Sequence, residues 1–249
     1  VAFGLATSAS AQQPSIFVDI GSLTAGFGVP SAGYAAAAPF GGQWNAMDAD
    51  LVNGQSTYTT PPLIDTAGAS TAATLTYTSI IGNLLSFNFD EPSTMGDDAA
   101  LIDDIAYGAG PSELQFDGLP AGTYDVITYA IAPDSAGFRT SVFVVNSADP
   151  SQDIGGDFSA GFLQGTTHAV HTVMVGGAGS IIIQLDAASG SDSVNGVQIL
   201  PAGSVGGLGL NYCGPAVVNS SGQSAMMLAA GSSAVASNVA ASASWPPAS

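Results

Sequence analysis

The chain has almost no positive charge. A single basic residue, Arg139, faces 19 acidic ones across 249 residues, for a formal net charge of -18. A protein of that sign cannot neutralise phosphates, which excludes nucleic acid as a partner. It is equally unsuited to an anionic membrane surface. Charged residues of either sign make up only 8% of the chain, against a usual ~25%. Long surface helices draw on Glu, Lys and Arg, so this composition speaks against them. Cysteine is nearly missing as well. Cys213 stands alone, and no disulfide framework can form within the chain. No run of about 20 apolar residues occurs, so no membrane-spanning helix is expected.

What remains is apolar, small and rich in turn formers. Hydrophobic residues make up 46% of the chain, with 32 Gly and 14 Pro. That mixture suits a packed core built from short strands. The alternation and β-branched runs predict strands over 15–20, 73–79, 84–89, 113–116, 123–131, 138–145, 168–175, 180–185 and 194–200. Gly82-Asn83 predicts a hairpin between the second and third of these. Residues 176–179, three of them Gly, predict another between 168–175 and 180–185. Residues 21–53 read as a long Gly/Ala-rich loop with one or two short strands. Residues 90–104 read as an acidic loop. The fold expected is all-β: a jelly-roll-like β-sandwich of eight or nine strands with long Gly/Ala-rich loops and no helix.

The two ends differ in texture. Residues 1–11 end in Ser8-Ala9-Ser10-Ala11, small residues at the spacing of a signal-peptide cleavage site, and read as a signal-peptide remnant. The sandwich is expected over 12–200 and a Gly-rich linker over 201–210. Residues 211–249 are too few to hold a core of their own. They read as a fragment of a second module or a disordered tail, which points to a larger parent polypeptide and an exported, cell-surface setting.

Two stretches carry a resemblance. Leu119-Pro120-Ala121-Gly122-Thr123-Tyr124-Asp125-Val126 and Val194-Asn195-Gly196-Val197-Gln198-Ile199 follow the acidic run at 97–104. In that order they resemble galactose-binding-like jelly-roll domains of secreted bacterial surface proteins. Asn211-Tyr212-Cys213-Gly214-Pro215-Ala216 resembles the start of a C-terminal module of such proteins, in which a second Cys lies further on. The first resemblance implies a β-sandwich that binds extracellular carbohydrate or acts as a spacer, in many members with a structural calcium ion.

The candidate site residues follow from chemistry. A pyranose has an apolar face and a rim of hydroxyls, so a sugar site needs an aromatic platform beside polar groups. Trp44, Tyr34 and Tyr58, with Asn45, lie in loop-like sequence and are the expected ligand-binding residues. Calcium takes six to eight oxygen ligands. Asp90, Glu91, Asp97, Asp98, Asp103 and Asp104 crowd the acidic run, and Asp97, Asp98 and Asp104 are the expected calcium ligands. Asp48-Ala49-Asp50-Leu51-Val52-Asn53-Gly54 echoes a calcium loop but puts Val52 where a ligand belongs. His168 and His171 would point to opposite faces of one strand, one packed and one solvated, and so would not share zinc. Arg139 is expected to pair with a nearby Asp. Neither a Gly-x-Ser-x-Gly elbow nor His-Glu-x-x-His is present, and one Arg supplies little oxyanion stabilisation. The expected function is therefore a non-catalytic carbohydrate-binding or adhesion module. A structural spacer and a divergent hydrolase using some pair of the 19 acids are the alternatives.

Overall fold

A computed structural model describes residues 12–22, 27–108, 110–177 and 179–204. The readings of 1–11 and of 211–249 with Cys213, and most of the expected linker, lie outside them. Residue contacts divide the chain into Val1–Val205 and Gly206–Ser249, and the described residues all belong to the first.

The chain runs through β1 (Ile16–Gly21), β2 (Trp44–Asp48), α1 (Ala49–Val52), β3 (Thr57–Thr59), β4 (Thr74–Ser79) and β5 (Leu84–Asn88). It continues through α2 (Asp97–Ile102), β6 (Asp104–Gly108), β7 (Ser112–Asp117), β8 (Gly122–Tyr129) and β9 (Arg139–Val144). It closes with β10 (Gln152–Ile154), β11 (His168–Val175), β12 (Ile181–Ser189) and β13 (Gly196–Pro201). A five-stranded sheet has the order β11-β8-β13-β1-β2, a six-stranded sheet the order β10-β9-β12-β7-β4-β3, and β5 pairs with β6 at the side. No described helix is long and apolar enough to cross a membrane.

The fold is the all-β, jelly-roll-like sandwich expected, with its core between the two large sheets. β4 and β7 alternate cleanly. Leu75, Tyr77, Leu114 and Phe116 face the core, while Thr74, Thr76, Glu113 and Gln115 face outward. β1, β8 and β13 do not alternate and are buried on both faces. Such strands need cover on both sides. Ile16, Val18, Val126, Val197 and Ile199 join the sandwich core. Phe17, Ile127, Tyr129 and Leu200 join a second cluster on the far face, with Trp44, Leu101, Ile102 and Phe158. The five-stranded sheet is thus a middle layer. Its outer face is roofed by residues 28–42, by α2 and by the segment that carries Phe158.

Asn195, fully buried just before β13, ties that roof to the sheet. Its Oδ1 accepts the Ile131 N–H at 2.6 Å, and its Nδ2 faces the carbonyls of Ile102 at 3.0 Å, Ile131 at 3.1 Å and Asp104 at 3.2 Å. One side chain therefore fixes the end of α2, the start of β6 and the chain leaving β8. Gly196 beside it lets α2 come close: a Cβ there would lie 2.8 Å from Leu101 Cδ1 and from the Val18 carbonyl. Tyr124 turns its hydroxyl back to the Pro120 carbonyl at 2.9 Å, fixing the turn into β8 as a tyrosine corner does.

The open edge of β11 is sealed by side chains rather than by a strand. Gln152 on β10 donates to the Val170 carbonyl at 2.7 Å and accepts from Val170 N at 3.3 Å. Asp149 accepts from Thr172 N at 2.7 Å. A long bare edge would invite pairing with another chain.

Several expectations need correction. Neither hairpin forms. The turn at Gly82 is present, with φ 84°, but β4 pairs with β3 and β7 while β5 pairs with β6. Likewise β11 pairs with β8 in one sheet, and β12 pairs with β7 and β9 in the other. Both turns carry the chain from one layer to another. The acidic loop is not all loop, since it contains α2 and ends in β6. The strands number thirteen among the described residues because the short β2, β3, β6 and β10 add to those expected. His168 and His171 take opposite faces as expected, but both are buried because both faces of β11 are covered at that end. Arg139 is held not by an aspartate but by the carbonyls of Ala136 and Phe138, each at 2.9 Å from Nη1.

Candidate functional site

The parallel pairing of β1 with β2 sets Phe17 opposite Trp44 on the outer face, with ring centroids 5.1 Å apart. Residues 28–42 lie over these rings as a strap. Tyr34 meets Trp44 at 6.1 Å and Phe40 stacks on Phe17 at 6.2 Å. The strap joins no sheet. Its stretch from 33 to 42 closes on itself, Gly33 N donating to Gly42 O at 3.2 Å. Glycine is required there, since a Cβ on Gly41 would fall 1.7 Å from the Gly33 carbonyl oxygen. Ala36 holds φ 47°, the left-handed region that a side chain disfavours.

Side chains fasten the strap. Ser31 donates through N and Oγ to the two oxygens of Asp97, both at 2.7 Å. The Tyr34 hydroxyl donates to Asp98. Burial and the neighbouring Asp98 carboxylate push the Tyr34 phenol far above its ordinary value, so it stays a donor. From below, Trp44 Nε1 donates to the Tyr34 carbonyl at 3.0 Å, and the Gln198 amide donates to the Ala35 carbonyl at 3.0 Å. Tyr129 accepts from Ala37 N at 2.8 Å and donates to Gln198 Oε1 at 2.5 Å. Gln198, noted in sequence only as part of a resemblance, is thus a link between the β13 strand and the strap.

Of the expected ligand-binding residues, the structure brings together Trp44 and Tyr34. Trp44 is only 7% exposed, so the open platform expected there is covered. Asn45 is a structural clamp: it donates to Phe17 O at 2.9 Å and to Ile64 O at 2.8 Å, and accepts from Ile64 N at 2.8 Å. Tyr58 lies on β3 and packs against the sandwich core, in the other sheet. Phe40, 39% exposed, is the aromatic ring at the surface of this face.

The expected calcium ligands do not converge. Asp97 faces Ser31 and Asp98 faces Tyr34, whereas Asp104 is buried beside Gly21 and accepts from Ser22 N at 2.8 Å. Among the described residues, no three His, Cys, Asp or Glu side chains are placed to share a metal ion. The residues present do not fit the expected calcium site.

Asp104 belongs instead to a group of buried acids. Burial, then the charges of Asp103 and Asp50, push its carboxyl up to about 7. Burial and Asp104 itself raise Asp19 on β1 well above the carboxylate range. Oδ1 of each is buried without a hydrogen-bond partner. Raised, paired carboxyls are the signature of an acid–base site. Here they are 1% and 0% exposed, so no substrate reaches them as the fold stands.

No family model and no curated protein matches the chain. Among solved structures it is similar to a family 35 carbohydrate-binding module from Clostridium thermocellum, at 14% identity over 52% of this chain and 92% of that one, TM-score 0.31. It is also similar to the C-terminal CBM6 module of a marine laminarinase from Zobellia galactanivorans, at 20% identity over 47% and 99% of the two chains, TM-score 0.24. A third likeness is to a Bacteroides uniformis β-glucuronidase, at 13% identity, TM-score 0.39. It covers 75% of this chain but only 18% of that enzyme. With identities this low and TM-scores below 0.5, these likenesses assign the chain no function.

Proposed function

We propose that the sandwich is a secreted, non-catalytic module that binds neutral carbohydrate on the outer face of its five-stranded sheet. The observation that carries this reading is a cluster of aromatic rings, Phe40 stacked on Phe17 and Trp44 tilted against it, under a strap that is fastened to two carboxylates, Asp97 and Asp98. Aromatic faces take the apolar side of a pyranose, and carboxylates accept its hydroxyls. The net charge of -18 favours neutral over anionic glycans. The test is titration of the full chain with soluble neutral polysaccharides, with calcium and with chelator, alongside Phe40→Ala. Phe40 is at the surface, so its loss should leave the fold intact and weaken binding about tenfold, the order of one aromatic contact. Undiminished binding in Phe40→Ala would place the site elsewhere.

The spacer reading has two observations in its favour: Trp44 is covered and the polar atoms of Asn45 are engaged. A folded protein that binds no polysaccharide would favour it.

A further inference from the structure

The geometry points to the strap at 28–42 being a built-in stand-in for the ligand, with Tyr34 occupying the place of a sugar ring; this rests on the carbohydrate reading. Tyr34 presents what a pyranose presents. It has a flat apolar face, set against Trp44 at 6.1 Å, and a hydroxyl at its rim bound to Asp98. Ser31 supplies a second hydroxyl, bound to Asp97 at 2.7 Å. Two hydroxyls of one sugar can replace the two hydroxyl donors and keep Trp44 covered, while the Asp97 oxygen that Ser31 N leaves is half-exposed and meets water. The exchange trades like for like at the two carboxylates; opening also parts the Trp44 indole N–H, the Gln198 amide and the Tyr129 hydroxyl from Tyr34 O, Ala35 O and Ala37 N, and these meet the sugar or water instead.

The strap is also built to release. It has no strand pairing, and four consecutive alanines, 35–38, form its middle. A methyl group buries little, so these residues hold it weakly compared with the Phe, Ile and Leu side chains beneath. Ala36 in the left-handed region adds strain that release removes. The polar links named above add to the packing of Val29, Tyr34 and Phe40 in keeping it closed. The ligand class is a neutral pyranose with neighbouring free hydroxyls. A uronate or sulfated sugar would set its own charge against Asp97 and Asp98 and would not displace the strap.

The experiment uses the full chain with Trp245→Phe, which leaves Trp44 as the sole tryptophan of the two. Acrylamide quenching of Trp44 reports strap opening, and titration with a soluble neutral polysaccharide reports binding. Tyr34→Phe keeps the ring but removes the hydroxyl, and Ser31→Ala removes the second latch. Each should raise quenching, and each should tighten binding by roughly ten- to a hundredfold, the scale of one hydrogen bond to a charged group. Asp98→Ala should raise quenching without tightening binding, because the acceptor is gone. Unchanged or weaker binding in both Tyr34→Phe and Ser31→Ala, with the fold intact, overturns the stand-in. Higher quenching with no binding in any protein overturns the carbohydrate reading and leaves the strap a plain cover. Unchanged quenching with retained wild-type binding overturns the strap alone.

Discussion

Replacing Asn195 by Ala removes the clamp between the sheet and its outer layer. The Ile131 N–H then loses its 2.6 Å acceptor, and the carbonyls of Ile102, Ile131 and Asp104 lose a shared donor group at 3.0, 3.1 and 3.2 Å. All four residues are 0% exposed, so water does not substitute. A buried polar group left unpaired costs about 1–3 kcal/mol. With one donor orphaned outright and two donated protons gone, the loss should be about 4 kcal/mol, of the order of 10 °C in Tm for a domain this size. Urea unfolding of wild type and Asn195→Ala at one pH gives the difference directly. A second variant, Asn195→Asp, keeps the acceptor for Ile131 but turns a carboxylate oxygen toward three carbonyls. It should be destabilised at neutral pH and partly recover on acidification, when a protonated carboxyl can donate again. A loss below about 1 kcal/mol in Asn195→Ala would refute the clamp, since it would mean the groups find other partners or water.

Other expectations follow from the buried polar groups. Asp104 is raised to about 7 and Asp103 and Asp192 each to about 6, chiefly by burial, against about 3.9 for an unfolded Asp. The folded state therefore holds protons that the unfolded state has released, and these groups destabilise the fold progressively as pH rises from about 4 to about 7. Stability measured by urea should fall between pH 5 and pH 8. Asp104→Asn keeps an acceptor for Ser22 N and removes a charge from beside Asp19, so it should be more stable than wild type at pH 8 and lose that advantage near pH 5; the opposite order would contradict the assignment. Gly21→Ala places a methyl 2.1 Å from Asp104 Oδ1 and should cost about 1–3 kcal/mol in the same assay, the range for overpacking. Gln152→Ala bares the β11 edge, so light scattering on heating should show earlier aggregation than wild type, whereas Ser56→Ala, exposed just before β3, should not.

Much of the fold was legible because alternation marks a strand whichever sheet it enters. The β4 pattern Thr-Leu-Thr-Tyr-Thr-Ser can only present one apolar face, and it does. Pairing was less legible. The turn at Gly82 and the Gly179 N to Gly176 O hydrogen bond bend the chain locally, but a turn does not say whether the next strand stays in the same sheet. The hairpins were misread for that reason. The middle layer does leave a trace: 197–200 is Val-Gln-Ile-Leu and 126–127 is Val-Ile, apolar on both sides of the strand, which calls for cover on both faces. Within that setting Asn195 and Gln198 are polar residues in apolar company, the mark of a buried clamp. The candidate site was half legible. Aromatic type singled out Trp44 and Tyr34 as candidates, but their burial depends on the strap, some of whose attachments join residues more than 60 positions apart, such as Ser31 with Asp97 and Tyr34 with Asp98. Asp97 and Asp98 were noticed as carboxylates, and their crowding suggested an ion where the fold instead provides hydroxyl donors.

The most direct test of the account is a glycan array probed with the full chain, carrying neutral oligosaccharides beside uronate and sulfated ones. Binding confined to neutral glycans, and lost on Asp97→Ala with Asp98→Ala while the protein stays folded, is the predicted result. Binding only to anionic glycans, or none from a folded protein, would contradict it.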